Sequence, residues 1–352
     1  MSHRCLLVAL VLLVLGACEK EDAEGEYETQ GRVTMMVTTE GLGDTGRNDD
    51  AVGGVFEYAK RTGAKVGLLR PKSVEEAREM YEEWLTETAE TDSAVLIVGG
   101  SEYAGMVKEV GDISKEDGEV TSGRRRVLLM DSKEKGLPKG VSSVYISRAG
   151  VSYLAGCMSK DYGVFVVTSK RDEEVEEAAT AFMNGYRKHK ATDIEEIKDL
   201  CLETDDSGLD HNYIHFTVLN LYPFFCVIYP GHRMVLPLIR IGDVAIIQIL
   251  NEAPLFDIDM IGMDVDQSVL SDKIPFSIVY RVGDALGEML GEWREGEAWG
   301  KVQVYGMEEG KAEIVMSEDY ESEYGIDYKE LKKQYYEEAK DVDRQYREEI
   351  AK

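Results

Sequence analysis

From Gly31 onward, short apolar segments alternate with amphipathic ones, and this alternation leaves few architectures open. "RVTMMVTT" reads as a strand, residues 48–62 as a helix, and "AKVGLLR" as a second strand. "SVEEAREMYEEWLTETAE" opens with Ser73 and Glu76 in capping-box spacing, which predicts another helix. "SAVLIVGG", "RRVLLMDS", "SSVYIS", "YGVFVVTS", "FFCVIYP", "VAIIQIL" and "MIGMDV" continue the series as strands, with helical segments between many of them. Such a pattern belongs to parallel sheets covered by helices on both faces. The strands are too many for one ordinary open sheet. Two α/β lobes are therefore expected, with the first boundary near Ser147 to Gly150, and 352 residues suffice for two cores. In the tail, Tyr328, Leu331, Tyr335, Val342, Tyr346 and Ile350 recur at three-, four- and seven-residue spacings, so residues 327–352 form one amphipathic helix.

The first residues are of another kind. "MSHRCLLVALVLLVLGACEK" has Arg4 near its start, an apolar run from Leu6 to Leu15, and then Gly16, Ala17 and Cys18. The run is too short to span a bilayer stably and ends in small residues, as a cleaved export signal does. Leu15-Gly16-Ala17-Cys18 resembles a bacterial lipobox. That resemblance implies a signal peptide over residues 1–17 and lipid on the sulfur and new amino group of Cys18. An ordinary secretory signal with an incidental cysteine is the other reading. At about 0.8 kcal/mol per buried CH₂, several acyl chains hold a protein on a membrane durably. Residues 18–30 then form an acidic tether, and the expected location is the cell envelope, lipid-anchored and extracytoplasmic. "EKED" also resembles an export signal of some bacterial surface lipoproteins.

Charge and motifs narrow the function further. Lys and Arg number 40 against 68 Asp and Glu, a net charge of -28, and phosphate backbones repel such a surface. Nucleic acid is thus not an expected partner. Cys157, Cys201 and Cys226 are odd in number and not closely paired, so they give neither a disulfide framework nor a metal signature. Cys157 and Cys226 lie in apolar settings and read as small core residues. H-E-x-x-H, C-x-x-C, G-x-S-x-G and the P-loop pattern are missing. His211 and His215 stand four apart without a carboxylate-rich companion motif and read as structural. No cofactor or metal is expected, and nothing argues for an enzyme.

"GLGDTGRNDD" (residues 41–50) carries glycines in G-x-G-x-x-G spacing between a strand and a helix. A dinucleotide site also wants an acid at the end of the second strand, where Arg70 stands, and bare amides where Asp44, Asp49 and Asp50 stand. The loop fits a polyol or amide grip better, with Asn48 capping the helix and Asp44 accepting paired hydroxyls. A capped turn that holds no ligand remains the alternative.

These residues resemble a known family. "GLGDTGRNDDAVGGVFEYAKRTG" is similar to the first motif of the basic membrane protein family, the nucleoside-binding lipoproteins of ABC importers. "SRAGVSYLAGCMS", "AFMNGYRKH", "MIGMDVDQS" and "SIVYRVGDALGEMLGEWREGEAWGKVQVYGMEEG" resemble its later segments in order, across roughly residues 31 to 316. The resemblance implies the type I periplasmic-binding-protein fold: two doubly wound α/β lobes around a ligand cleft, here with the C-terminal amphipathic helix added. It implies an N-terminal lobe over 31–148, a C-terminal lobe over 149–275, and crossover segments shared between lobes over 276–326.

Carried over by position, Asp44 and Asn48 line the cleft and Asp264 holds ribose hydroxyls. Three positions depart from the family. Arg47 stands for a Phe, Tyr280 for a Lys, and Gly105 for a base-reading Asp; Tyr103 and Tyr280 offer replacement aromatic surface. The expected ligand-binding set is Asp44, Arg47, Asn48, Tyr103, Asp264 and Tyr280. For Arg47 two placements are open. It turns outward to Asp49 and Asp50, or it points into the cleft and favours an acidic or electron-rich ligand. The expected function is that of an extracytoplasmic solute-binding lipoprotein delivering a small polar, nucleoside-like ligand to an ABC permease. The alternative is a surface lipoprotein that keeps the fold, has lost small-ligand binding, and serves as an interaction or structural component. A cleft filled by its own side chains would favour the latter.

Overall fold

A computed structural model describes residues 31–43, 46–88, 93–111, 113, 125–168, 173–191, 200–201, 232–239, 243–252, 258–296, 302–320, 322 and 325–352. The leader, Cys18, the acidic tether, Asp44, His211, His215, "FFCVIYP" and Cys226 lie outside these residues.

The first sheet has the order β2-β1-β3-β4-β5-β11 and is parallel throughout. Its strands are β1 (Arg32–Met36), β2 (Lys65–Leu69), β3 (Ala94–Val98), β4 (Arg125–Met130), β5 (Val141–Ile146) and β11 (Val302–Tyr305). β3 has no polar residue and is buried along its whole length, as a central strand covered on both faces requires. α1 (Arg47–Thr62), α2 (Val74–Glu87) and α3 (Ala104–Val110) connect the early strands. At the start of α2 the Glu76 N–H donates to the Ser73 hydroxyl at 3.1 Å, as the capping-box spacing predicts.

The second sheet has the order β7-β6-β8-β9, again parallel. It contains β6 (Gly163–Thr168), β7 (Leu200–Cys201), β8 (Arg233–Leu238) and β9 (Ile258–Met260). A parallel bridge from Gly262 to Ser277 continues it onto β10 (Phe276–Tyr280), which pairs antiparallel with β12 (Ala312–Met316). The helices that follow strand β5 are α4 (Ala149–Met158), α5 (Glu173–His189), α6 (Asp243–Glu252), α7 (Val282–Glu295) and α8 (Tyr328–Ala351).

The chain passes between the two sheets three times. It leaves β5 at Ile146 and enters α4, which packs on α5. After β10 it returns as α7, against α1, and adds β11 beside β5; it then crosses again into β12. α4 and α5 touch backbone to backbone. A Cβ on Gly156 would stand 2.0 Å from the Phe182 carbonyl oxygen, and one on Gly185 would stand 2.1 Å from that of Tyr153.

At one place the element differs from the expectation. "VAIIQIL" is not a strand but most of helix α6, with Ile246, Ile247, Ile249 and Leu250 buried against the second sheet. The strand is the preceding run "RMVLPL", β8, which the sequence reading passed over. A short continuous apolar run has no period to separate the two states, and here its neighbour takes the place between β6 and β9.

The C-terminal helix α8 folds back on the protein. Asp327 caps it by accepting the Glu330 N–H at 3.0 Å, and Tyr328, Tyr335 and Ala339 are buried with Leu331, Val342 and Tyr346 beside them. Asp343 is wholly enclosed and accepts the Met307 N–H at 3.0 Å, which fixes α8 to the crossover between β11 and β12. Cys157 is a free thiol in the core, and burial pushes its pKa up to about 12. Among the described residues no helix is long and apolar enough to cross a membrane.

Candidate ligand cleft

Loops at the C-terminal ends of strands from both sheets face one another across a cleft. Thr38 follows β1, Ser101 and Glu102 follow β3, and Asp131 follows β4; from the other sheet come Glu174 after β6, Asp243 after β8 and Asp264 after β9. Ligands of open α/β sheets bind in this place, outside the carboxyl ends of the strands.

Arg47, the first residue of α1, reaches into the cleft and meets carboxylates from both sides. Its Nη1 pairs with Asp131 and, at 3.0 Å, with Glu174, while its Nε lies 3.7 Å from Asp264. Arg148, in the first crossover, binds the same two acids, Asp131 and Glu174, each at 2.9 Å. Its guanidinium stands 5.3 Å from the ring centroids of both Tyr145 and Tyr280. Glu177, one turn along α5 from Glu174, accepts the Arg148 N–H at 2.8 Å and the Tyr145 hydroxyl.

The electrostatics follow from this arrangement. Burial works against the Arg47 charge, but Asp131, Asp264 and Glu174 outweigh it and hold the pKa well above the ordinary value. Burial also opposes ionisation of Asp131, yet Arg148 and Arg47 together hold it down at about 2. For Asp264, by contrast, burial prevails over the attraction of Arg47 and Arg148, and the carboxyl is pushed up. Asp131 and Asp264 share one further property. They are the non-glycine residues with positive φ among those described, at 51° and 67°. The left-handed region costs a side chain about 1 kcal/mol or more, and Asp tolerates it better than most. Strain of this kind collects at functional sites.

The expected site residues fare differently. Arg47, Asp264 and Tyr280 come together, Tyr280 lining a cavity of about 40 Å³ behind Arg47 and Arg148. Arg47 does not turn outward. Asp49 instead accepts the Gly43 N–H at 2.9 Å and Asp50 the Gly283 N–H at 2.8 Å, the latter tying α1 to α7. With three acids around it, Arg47 presents no unmet positive charge, so the expected preference for an acidic ligand loses its basis. Asn48 touches the cleft but does not cap α1. Gly46 is the N-cap, and the Asn48 amide is spent on the turn before it, accepting from Thr38 N and donating to Thr38 Oγ1 and Gly41 O. Tyr103 is not in the cleft; it is fully buried beneath β1 and donates to the Val37 carbonyl at 3.2 Å. Asp131, Arg148 and Glu174 were missed. The position of Asp131 directly after a strand was the available signal, whereas Glu174 looked like one more acid in a helix's first turn.

Space in the cleft is scarce. The free volume is about 30 Å³, room for about two water molecules. Among the described residues no group of His, Cys, Asp and Glu is arranged to hold a metal ion.

No protein-family model matches the chain, and no curated protein matches it in sequence. Solved structures do match. The chain is similar to an ABC transporter solute-binding protein from Aeropyrum pernix K1, at 16% identity over 91% of this chain and 90% of that one, with a TM-score of 0.68. It is similar to a transcriptional activator of the comK gene from Bacillus halodurans, at 16% identity over 87% and 98%, TM-score 0.62. It is also similar to the Caulobacter myo-inositol binding protein, at 14% identity over 82% and 94%, TM-score 0.58. At these identities the likeness is one of fold. The chain has the two-lobed α/β architecture of the type I periplasmic binding proteins, carried here with an added C-terminal helix.

Proposed function

We propose that this chain is the solute-binding component of an ABC importer, of the basic membrane protein type, and that it performs no chemistry of its own. In this reading it is an extracytoplasmic lipoprotein anchored through Cys18, and its two lobes close on a small, hydroxyl-bearing, nucleoside-like ligand that it passes to a permease. The observation that carries the reading is the pair Asp131 and Asp264. Each is an aspartate in the left-handed region, each follows a strand, and they reach the same cleft from opposite sheets. A carboxylate accepts from both hydroxyls of a diol, at about 1.5–3 kcal/mol per charge-assisted bond. The ordered sequence motifs and the likeness to solute-binding proteins support it. With so little free volume, the lobes must part, or Arg47 must move, before a ligand enters.

That same filling favours a second reading, a lipoprotein whose cleft is locked by ion pairs and which serves as an interaction component. Thermal unfolding against a panel of nucleosides, pentoses, hexoses and cyclitols separates the two. A ligand at 100 times its Kd adds about 2.7 kcal/mol of stability. Asp264→Asn is expected to abolish that shift while leaving the ligand-free protein as stable as before. A panel without any shift, together with no small molecule co-purifying, would leave the second reading standing.

A further inference from the structure

Outside the cleft, residues of α5 and of the second half of α8 line a groove of about 660 Å³, far larger than the space in the cleft. Its floor is apolar, formed by Ala149 and Tyr153 of α4 and Ala181 of α5, and Val342 and Tyr346 of α8 form the facing wall. It follows α5 from Glu173 to Asn184, a length of about 16 Å, or three helical turns. Lys133 closes one end. Its ammonium donates to the Tyr346 hydroxyl at 2.8 Å, lies 3.5 and 3.6 Å from Glu173 and Glu177, and stands 5.4 Å from the centroids of the Tyr145 and Tyr346 rings. That charge is therefore met internally. Glu173 and Glu176, both exposed, leave the rim acidic.

A small ligand is usually enclosed over most of its surface, whereas this groove is open along its length. Two helices framing an apolar trough of three turns match a third helix, whose side chains at i, i+3 or i+4, and i+7 point downward. The acidic rim requires lysine or arginine on the flanks of that helix, and the net charge of -28 adds long-range attraction for such a partner. We propose that this groove is the docking site for a short basic amphipathic helix of a partner protein. The site bears on the cleft as well, because Glu177 at its edge holds the Arg148 backbone, and Glu174 between Glu173 and Glu177 enters the cleft ion pairs.

The test uses the purified full chain and two fluorescent peptides, each about four turns long with one Leu/Ala face. One carries lysines on its other face and the second carries glutamates. Fluorescence anisotropy is expected to show binding of the lysine peptide alone. Glu173→Lys combined with Glu176→Lys is expected to weaken it at least about tenfold, and Thr180→Arg, at an exposed position in the groove, to weaken it similarly. Glu75→Lys combined with Glu79→Lys on α2 makes the same charge change elsewhere and is expected to leave the affinity within about twofold. Equal weakening by the α2 pair would show general attraction to an acidic surface and overturn the proposal. So would binding untouched by the groove variants, or binding of both peptides alike. Concentration-dependent self-association abolished by Thr180→Arg would assign the groove to a second copy, which also overturns it.

Discussion

Replacing Arg47 by methionine keeps much of the side chain's bulk and removes a cation that touches carboxylates from both sides of the cleft. Asp131 and Glu174 keep Arg148. Asp264 has no other ion pair among the described residues, so it bears most of the loss. At 3.7 Å and an effective dielectric of about 20, its attraction to Arg47 is worth about 4 kcal/mol. Removing one partner of a buried network costs about 3–5 kcal/mol, since the remaining charge stays desolvated. Urea unfolding at neutral pH should therefore show the stability of Arg47→Met reduced by that amount, as a lower midpoint with the slope unchanged. Adding Asp264→Asn to Arg47→Met should return about 1–3 kcal/mol, because the uncompensated charge is gone. Alone, Asp264→Asn should change stability little, because the lost attraction to Arg47 is offset by relief of a buried charge.

The same argument fixes the pH dependence. Asp131 is held at about 2 against an ordinary 3.8, so its contribution, about 2 kcal/mol, is complete above about pH 4 and is lost as pH falls toward 2. In Arg47→Met one of its two cations is missing, so the loss should be complete at a higher pH and be smaller in total. Asp264 runs the other way: its folded pKa is raised, so its ionisation costs stability as pH rises through that value. If Arg47→Met changed stability by less than about 1 kcal/mol, or Asp264→Asn failed to rescue it, the reading of the cleft as an electrostatic lock would be wrong.

Two further outcomes are expected. Under the lipoprotein reading, Cys18→Ser should release the protein to the soluble fraction or stall its maturation; a variant still in washed membranes at high salt would count against the anchor. Gly185→Ala, which drives a methyl into the Tyr153 carbonyl, should lower stability by about 1–3 kcal/mol or more, whereas Gly53→Ala in α1, with nothing within 4 Å, should raise it by about 0.5–1 kcal/mol; calorimetry reads both.

The fold was more legible than the site, for a physical reason. Strands buried on both faces must be apolar and their connections helical, so β1 and β3 to β6 could be read from local pattern alone. The failures fall where local pattern is silent, as at "RMVLPL" and "VAIIQIL", two adjacent apolar runs that differ only in what packs on them. In the cleft, Arg47 and Asp264 were legible because they sit in motifs. Arg148 and Glu174 acquire their meaning only when the crossover and the start of α5 are brought together, across 26 residues of chain. Tyr103 shows the converse. An aromatic beside a cleft-facing loop was expected to point outward, but the space under β1 took the ring and the Val37 carbonyl took its hydroxyl.

The late arrival of β11 has a kinetic meaning. β5 is buried along its length, yet its outer neighbour is not made until Val302, after the described strands of the second sheet have been synthesised. As the chain emerges from its N-terminus, the first sheet has its early strands in hand but not its border. Long-range pairings of this kind fold slowly, and an uncovered parallel edge is a template for wrong partners in the meantime. Though each half has its own sheet, the first cannot be completed until the chain of the second has been made.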